Sequence, residues 1–227
     1  MASALIVWGG WAGHQPKEVA EVFRRVLVED GVQVEVSDTL DAFKDEAKLM
    51  ALDLIIPIWT MGEITKEQVV PVLKAVREGG VGIAGCHGGM GDAFRKDVSW
   101  QFMVGGQWIA HPGNDGTLHT IRIKNPDHPI TKGIKDFDVK SEQYYMHIDP
   151  AIQVLATTTF PTPGVDGPHV PNGFTEVPQV WTKYWGKGRV FYNALGHQAN
   201  IFDIPEALEL MRRGFRWARK DRPKCGC

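Results

Sequence analysis

Short apolar segments that end in turns, with amphipathic stretches between them, restrict what this chain can fold into more than any other feature. "SALIVWGG" (3–10), "LDLIIPIW" (52–59) and "VGIAG" (81–85) are apolar without alternation, the pattern of strands buried on both faces. "VQVEV" (32–36) alternates as a half-covered strand does. After the first strand, "PKEVAEVFRRVLVEDG" (16–31) sets apolar residues at 19, 22, 23, 26 and 27, a helical stripe with Pro16 in its first turn and Gly31 closing it. Thr65 and Gln68 form a capping box for a helix running to Glu78 and kinked at Pro71, while Pro57 predicts a frayed or bulged strand end. Strands alternating with helices at this spacing predict an α/β fold with a mostly parallel sheet covered on both sides. Right-handed crossovers make it doubly wound and flavodoxin-like.

The later chain is less regular. "TLHTIRIKN" reads as a strand, "EVPQVWTKYWGKGRVFYNALGH" as a β-hairpin turning at Gly186–Gly188, and "PEALELMRRGFRWARK" as a closing amphipathic helix. With no internal repeat and no long linker, a single domain over 1–221 with a β-hairpin elaboration is expected, followed by a tail at 222–227 containing Cys225 and Cys227. A net charge of -2 without a basic stripe argues against a nucleic-acid or anionic-membrane surface. Three cysteines make no secreted disulfide framework, "MASALIVWGG" lacks the basic start of a signal peptide, and no apolar run approaches the ~20 residues that span a bilayer. A soluble, cytoplasmic protein is expected. Eight Trp and ten Phe are enough both to fill a core and to line a pocket for a sugar or another flat ligand.

"VGIAGCHGGMGDAF" (81–94) carries the chemistry. A sharp strand-to-helix turn that exposes one side chain needs small residues two before and two after it. Centred on His87, the flanks are Gly85 and Gly89; centred on Cys86, they are Ala84 and Gly88. The first register makes Cys86 a small buried hydrophobe, and the second makes it a nucleophile with a histidine base. The glycine spacing favours His87. In a doubly wound sheet ligands gather beyond the carboxyl ends of the strands. His14 follows the first strand, Trp59 and Glu63 the third, His87 the fourth, and His197 the last strong one. Their convergence on one rim is expected.

The segments "GGWAGH", "EGGVGIAGCHGG", "WQFMVGGQWIAHP", "HPITKGIKDFDVKSEQYY" and "PQVWTKYWGKGRVFYNALGH" together resemble the ThuA-like, or trehalose-utilisation, family, which shares the class I glutamine amidotransferase fold. In that resemblance His87 takes the place of the amidotransferase nucleophile, with Cys86 as the filler before it. His197 matches the amidotransferase histidine, but Gln198 and Ala199 follow it, so the third triad member is missing and glutamine hydrolysis is not expected. "SEQYYMH" (141–147) stands where relatives carry an acidic-plus-tyrosine motif. This makes Glu142 and Tyr145 candidates for acid/base or hydroxyl-binding roles, with His147 facing the same way as Tyr145 in an extended segment. His111 of "IAHP" is a candidate to enter the site.

The resemblance implies carbohydrate breakdown, notably of disaccharides carrying an oxidised ring carbon. A carbonyl acidifies the neighbouring C–H, and histidine is the side chain suited to take that proton near neutrality. The expected function is isomerisation, elimination or cleavage of keto-glycosides, with His87, His197, Glu142 and Tyr145 catalytic, and His14, Trp59, Trp108 and His111 binding substrate. One divalent metal (zinc, manganese or nickel) is a candidate cofactor on His87, His111, His197 and Glu142, and no nucleotide cofactor is expected. A sugar-oxidising dehydrogenase is the expected pathway partner and a homodimer a candidate assembly. The alternatives are a non-catalytic sugar-binding module that serves an oxidoreductase and a thiol hydrolase using Cys86.

Overall fold

The computed structural model describes residues 2–221; the tail expected at 222–227 lies outside the described residues. Among the described residues eleven strands appear in chain order: β1 (Ser3–Gly10), β2 (Gln33–Ser37), β3 (Leu54–Thr60), β4 (Gly82–Cys86), β5 (Gly106–Ala110), β6 (Thr117–Ile123), β7 (Phe137–Ser141), β8 (Tyr145–Ile148), β9 (Gln153–Phe160), β10 (Thr175–Trp185) and β11 (Gly188–Asn193). The helices are α1 (Pro16–Glu29), α2 (Glu46–Ala51), α3 (Lys66–Arg77), α4 (His87–Gly91), α5 (Val98–Val104) and α6 (Pro205–Ala218). Nine strands form one sheet in the order β2-β1-β3-β4-β11-β10-β9-β6-β7, and β5 and β8 form a separate ribbon. The central strands from β2 to β11 run parallel. The expected hairpin is β10–β11, turning at Gly186 and Lys187, and it begins an antiparallel wing that continues through β9, β6 and β7.

Burial on both faces explains the unbroken apolar runs. Along β1, Ala4 and Ile6 face a core with Phe23 of α1 and Phe215 of α6, while Leu5 and Val7 face a second core with Val72 of α3 and Trp100 of α5. Each such large side chain contributes about 1.5–3 kcal/mol by leaving water. The capping box at Thr65 and Gln68 is present, and α3 passes through Pro71. Pro57 acts differently from a simple fray: β3 pairs with β1 through Thr60, but its ladder with β4 ends after Ile55. Proline offers no N–H to a central ladder, so the two strands part there. The short helix α4 packs at that parting, beside Pro57 and Ile58. No helix among the described residues is long and apolar enough to cross a membrane.

Candidate functional site

At the end of β4 the chain turns sharply into α4, and His87 sits at the turn with φ +46. This left-handed conformation is uncommon for a residue with a side chain and is held only where the surroundings enforce it. The flanking glycines are required by contact. A Cβ on Gly85 would stand 2.7 Å from the Met90 Cβ and 3.1 Å from the Pro57 oxygen; one on Gly89 would stand 2.9 Å from the Ile58 Cα. The register is therefore centred on His87. Cys86 points into the apolar core beside Leu195 and Phe202, and burial pushes its thiol far up, away from thiolate character. Alkylating reagents at neutral pH and Cys86→Ala are both expected to leave activity within about twofold of wild type, since a neutral buried thiol is no nucleophile. Inactivation by either would restore the thiol-hydrolase reading.

Three histidines converge on one carboxylate. The His87 ring is buried, donates Nδ1–H to the Ala194 carbonyl at 2.7 Å, and turns Nε2 to Glu142 Oε2 at 3.0 Å. His197, after β11, brings Nδ1 to 3.2 Å from the same oxygen, without the angle of a hydrogen bond. His14 lies in a short turn after β1; its Nδ1 is hydrogen-bonded to Thr60 Oγ1 at 2.8 Å and its Nε2 stands 3.7 Å from Glu142 Oε2. Gly88 makes room for that ring, because a Cβ there would meet the His14 Cε1 at 2.7 Å. Glu142 itself comes from the connection between β7 and β8, delivered by the antiparallel wing. His111 approaches the other oxygen, Oε1, at 3.7 Å and is the most exposed of the four histidines.

Burial alone would raise the Glu142 carboxyl, but the imidazoles of His14, His197 and His87 gathered around it outweigh that and hold the group far below the usual carboxylate range. Burial lowers His87 to about 4, against the opposing pull of Glu142 and Ala194. With Nδ1–H donating to Ala194, His87 Nε2 faces Glu142 Oε2 as a donor when the ring is protonated and as a bare lone pair when it is neutral. A proton or a metal ion between the two atoms satisfies the neutral pairing, and His197 Nδ1, which makes no hydrogen bond, stands beside them. One ligand atom each from His14, His87, His197 and Glu142 lie within 4.8 Å of one another, so this cluster is able to hold a metal ion. Compared with the set expected from the sequence, His14 takes the place of His111.

A cavity of about 150 Å³ opens beside the cluster. Trp11, Met61, Trp108 and Tyr144 form its walls, and Asp92, Arg95, His111 and His14 supply polar edges. Trp108 lies where a binding residue was expected, but the Arg95 guanidinium covers one face of its ring at 4.6 Å. Tyr145 is a correction. Its hydroxyl accepts from Asn172 Nδ2 at 2.9 Å and its ring packs on Phe160, so Tyr144 is the phenol at the site, its ring stacked on His87 at 3.8 Å. Side chains alternate along an extended segment, so Glu142 shares a side with residue 144; that signal was available in the sequence. Trp59 is a second correction: its ring lies against Gly9 and Gly62 and does not line the cavity. Glu63 is exposed and paired with Lys96 at 2.6 Å, and His147 borders a separate, larger groove with Phe102 and Ile148.

The fold has solved counterparts. A ThuA-like protein of Bacteroides uniformis superposes with a TM-score of 0.75 at 18% identity, covering 96% of this chain and 91% of that one. A cytoplasmic protein of Salmonella typhimurium gives 0.69 at 11% identity over 96% of this chain and 100% of that one. A glutamine amidotransferase of Thermotoga maritima gives 0.52 at 9% identity over 85% and 74%. At these identities the likeness is one of fold. No curated protein matches the sequence. Residues 3–218 match the family described as ThuA, trehalose utilisation, which points to a role in carbohydrate utilisation. That match spans nearly the whole chain: the protein belongs to the ThuA family.

Proposed function

We propose that the chain is an enzyme of carbohydrate breakdown that removes the proton next to the carbonyl of a keto-glycoside. The observation that carries this reading is one ionised carboxylate, Glu142, gripped by three imidazoles at the edge of a small cavity. His87 and His197 are buried behind Glu142, whereas His111, His14 and Tyr144 line the cavity where a substrate reaches them. In this reading His111 takes the C–H proton, with Glu142 Oε1 behind it orienting the ring and stabilising its charged form. The electron pair moves onto the carbonyl oxygen, where the Tyr144 hydroxyl donates a hydrogen bond; burial keeps that phenol protonated. Returning the proton to the other carbon completes an isomerisation, and expelling a glycosidic oxygen placed β to the carbonyl completes an elimination. A zinc, manganese or nickel ion on His14, His87, His197 and Glu142 would polarise the carbonyl. The keto group requires a prior oxidation, so a sugar-oxidising dehydrogenase supplies the substrate.

The test is proton NMR in D2O with keto-disaccharides and their unoxidised parents, with and without added divalent metal. Deuterium entering beside the carbonyl, or a new product, is expected only with the keto sugars. Binding without exchange or turnover would instead favour a sugar-binding module that serves an oxidoreductase.

A further inference from the structure

The cavity beside the cluster has features that proton transfer does not need. Trp11 is 47% exposed, yet its ring is held: it meets the His14 ring edge-on at 4.7 Å and 74°, and a Cβ on Gly13 would stand 2.5 Å from Trp11 Cζ2. An exposed tryptophan fixed in this way is an apolar platform prepared before any ligand arrives. Across the same cavity Asp92 is buried and held by Arg95 through a fork, Nε to Oδ1 at 2.5 Å and Nη2 to Oδ2 at 2.8 Å. The Arg95 Nη1 makes no bond among the described residues, and the guanidinium is fixed in plane over Trp108. An acceptor beside a planar donor matches two adjacent hydroxyls better than it matches a single charge. At about 150 Å³ the space falls well below the roughly 300 Å³ at which sites for drug-sized ligands begin.

We propose that this cavity is the subsite for a single uncharged pyranose ring, with the ring's apolar face on Trp11, its vicinal hydroxyls on the Asp92–Arg95 pair, and the rest of a glycoside outside the protein. The proposal rests on the sugar-enzyme reading above and adds to it: specificity is for one terminal ring, whatever sugar or alcohol follows it.

The test measures binding of unoxidised sugars, which carry no acidified C–H and report on the subsite alone. Saturation-transfer difference NMR and titration with methyl α-D-glucopyranoside and with trehalose are expected to show both binding with affinities within about threefold of each other, since only one ring enters. Trp11→Ala and Asp92→Asn are each expected to weaken both ligands roughly tenfold, about 1.4 kcal/mol. Trp11→Phe should restore part of the loss, and Tyr184→Ala, an exposed ring outside the cavity, should change nothing. Far-ultraviolet circular dichroism checks that each variant is folded, and the exposed Trp11 site keeps the test valid if Asp92→Asn does not fold. Absence of methyl glucoside binding to wild type, indifference to Trp11→Ala, or trehalose binding more than about tenfold tighter would each overturn the proposal. Binding with these responses but no deuterium exchange on keto sugars would remove the carbon-acid chemistry and leave the subsite. Exchange that ignores Trp11→Ala would do the reverse.

Discussion

Glu142→Gln is expected to fold and to lose turnover of keto-glycosides by about 10³-fold or more, the scale on which a positioned acid–base system acts. Glutamine keeps the shape of the side chain but removes the charge on which four imidazoles converge. Its amide is able to donate to the bare His87 Nε2, so the buried ring keeps a partner and the fold keeps its packing. In the proposed mechanism, what disappears is the field that stabilises a charged imidazole at His111 and the anionic group that the cluster would offer a metal. Deuterium uptake measured by NMR and bound metal measured by plasma mass spectrometry should fall together. Turnover within about threefold of wild type would remove Glu142 from the mechanism.

The same variant separates two effects of acid on the metal-free protein. The His87 pKa is depressed by burial from 6.5 to about 4, so the unfolded chain binds that proton first and stability declines as pH falls across this interval. The folded Glu142 carboxyl is held below its ordinary value, so its contribution is complete above about pH 4.3 and drains away only at lower pH. Glutamine at 142 removes the second decline and leaves the first.

The parts of this molecule that local pattern governs were legible in the sequence. Strands β1, β3 and β4 are buried on both faces and show unbroken apolar runs; α1 shows its stripe, and α3 its capping box. His14, His87 and His197 were found by asking where parallel strands end, because sheet geometry carries those ends to one rim. Glu142 was reachable only through family resemblance. It arrives on an antiparallel wing whose register depends on pairings far apart in the chain, which no local pattern announces. Asp92 and Arg95 resemble any surface ion pair three residues apart, and nothing in "GDAFRK" says that the carboxylate is buried. Trp11 and Trp59 look alike in sequence; their roles separate only because Gly9 and Gly62 receive the Trp59 ring while Gly13 lies beside the Trp11 ring. Contacts made through absent side chains leave little trace in a single sequence.

Gly89→Ala is expected to show how much of the site depends on such a contact. The added Cβ would meet the Ile58 Cα at 2.9 Å and its carbonyl carbon at 3.4 Å, both backbone atoms of a central strand that cannot move aside. Overpacking of this kind costs about 1–3 kcal/mol, and the upper end applies where no flexible side chain is able to yield. Gly31→Ala, just past α1, provides the comparison: φ there is +72 with nothing within 4 Å, so only left-handed backbone strain acts, about 1 kcal/mol. Thermal unfolding should therefore separate the two variants clearly. Activity should separate them further, because α4 has to move away from β3 to accept the methyl group and carries His87 with it. His87 is already held at φ +46 between the Ala194 carbonyl and Glu142, so a shift of about 1 Å breaks both contacts and costs on the order of 10²-fold in rate. If Gly89→Ala proves as mild as Gly31→Ala on both counts, the turn does not hold His87 in place, and the glycine on each side of it has some other cause.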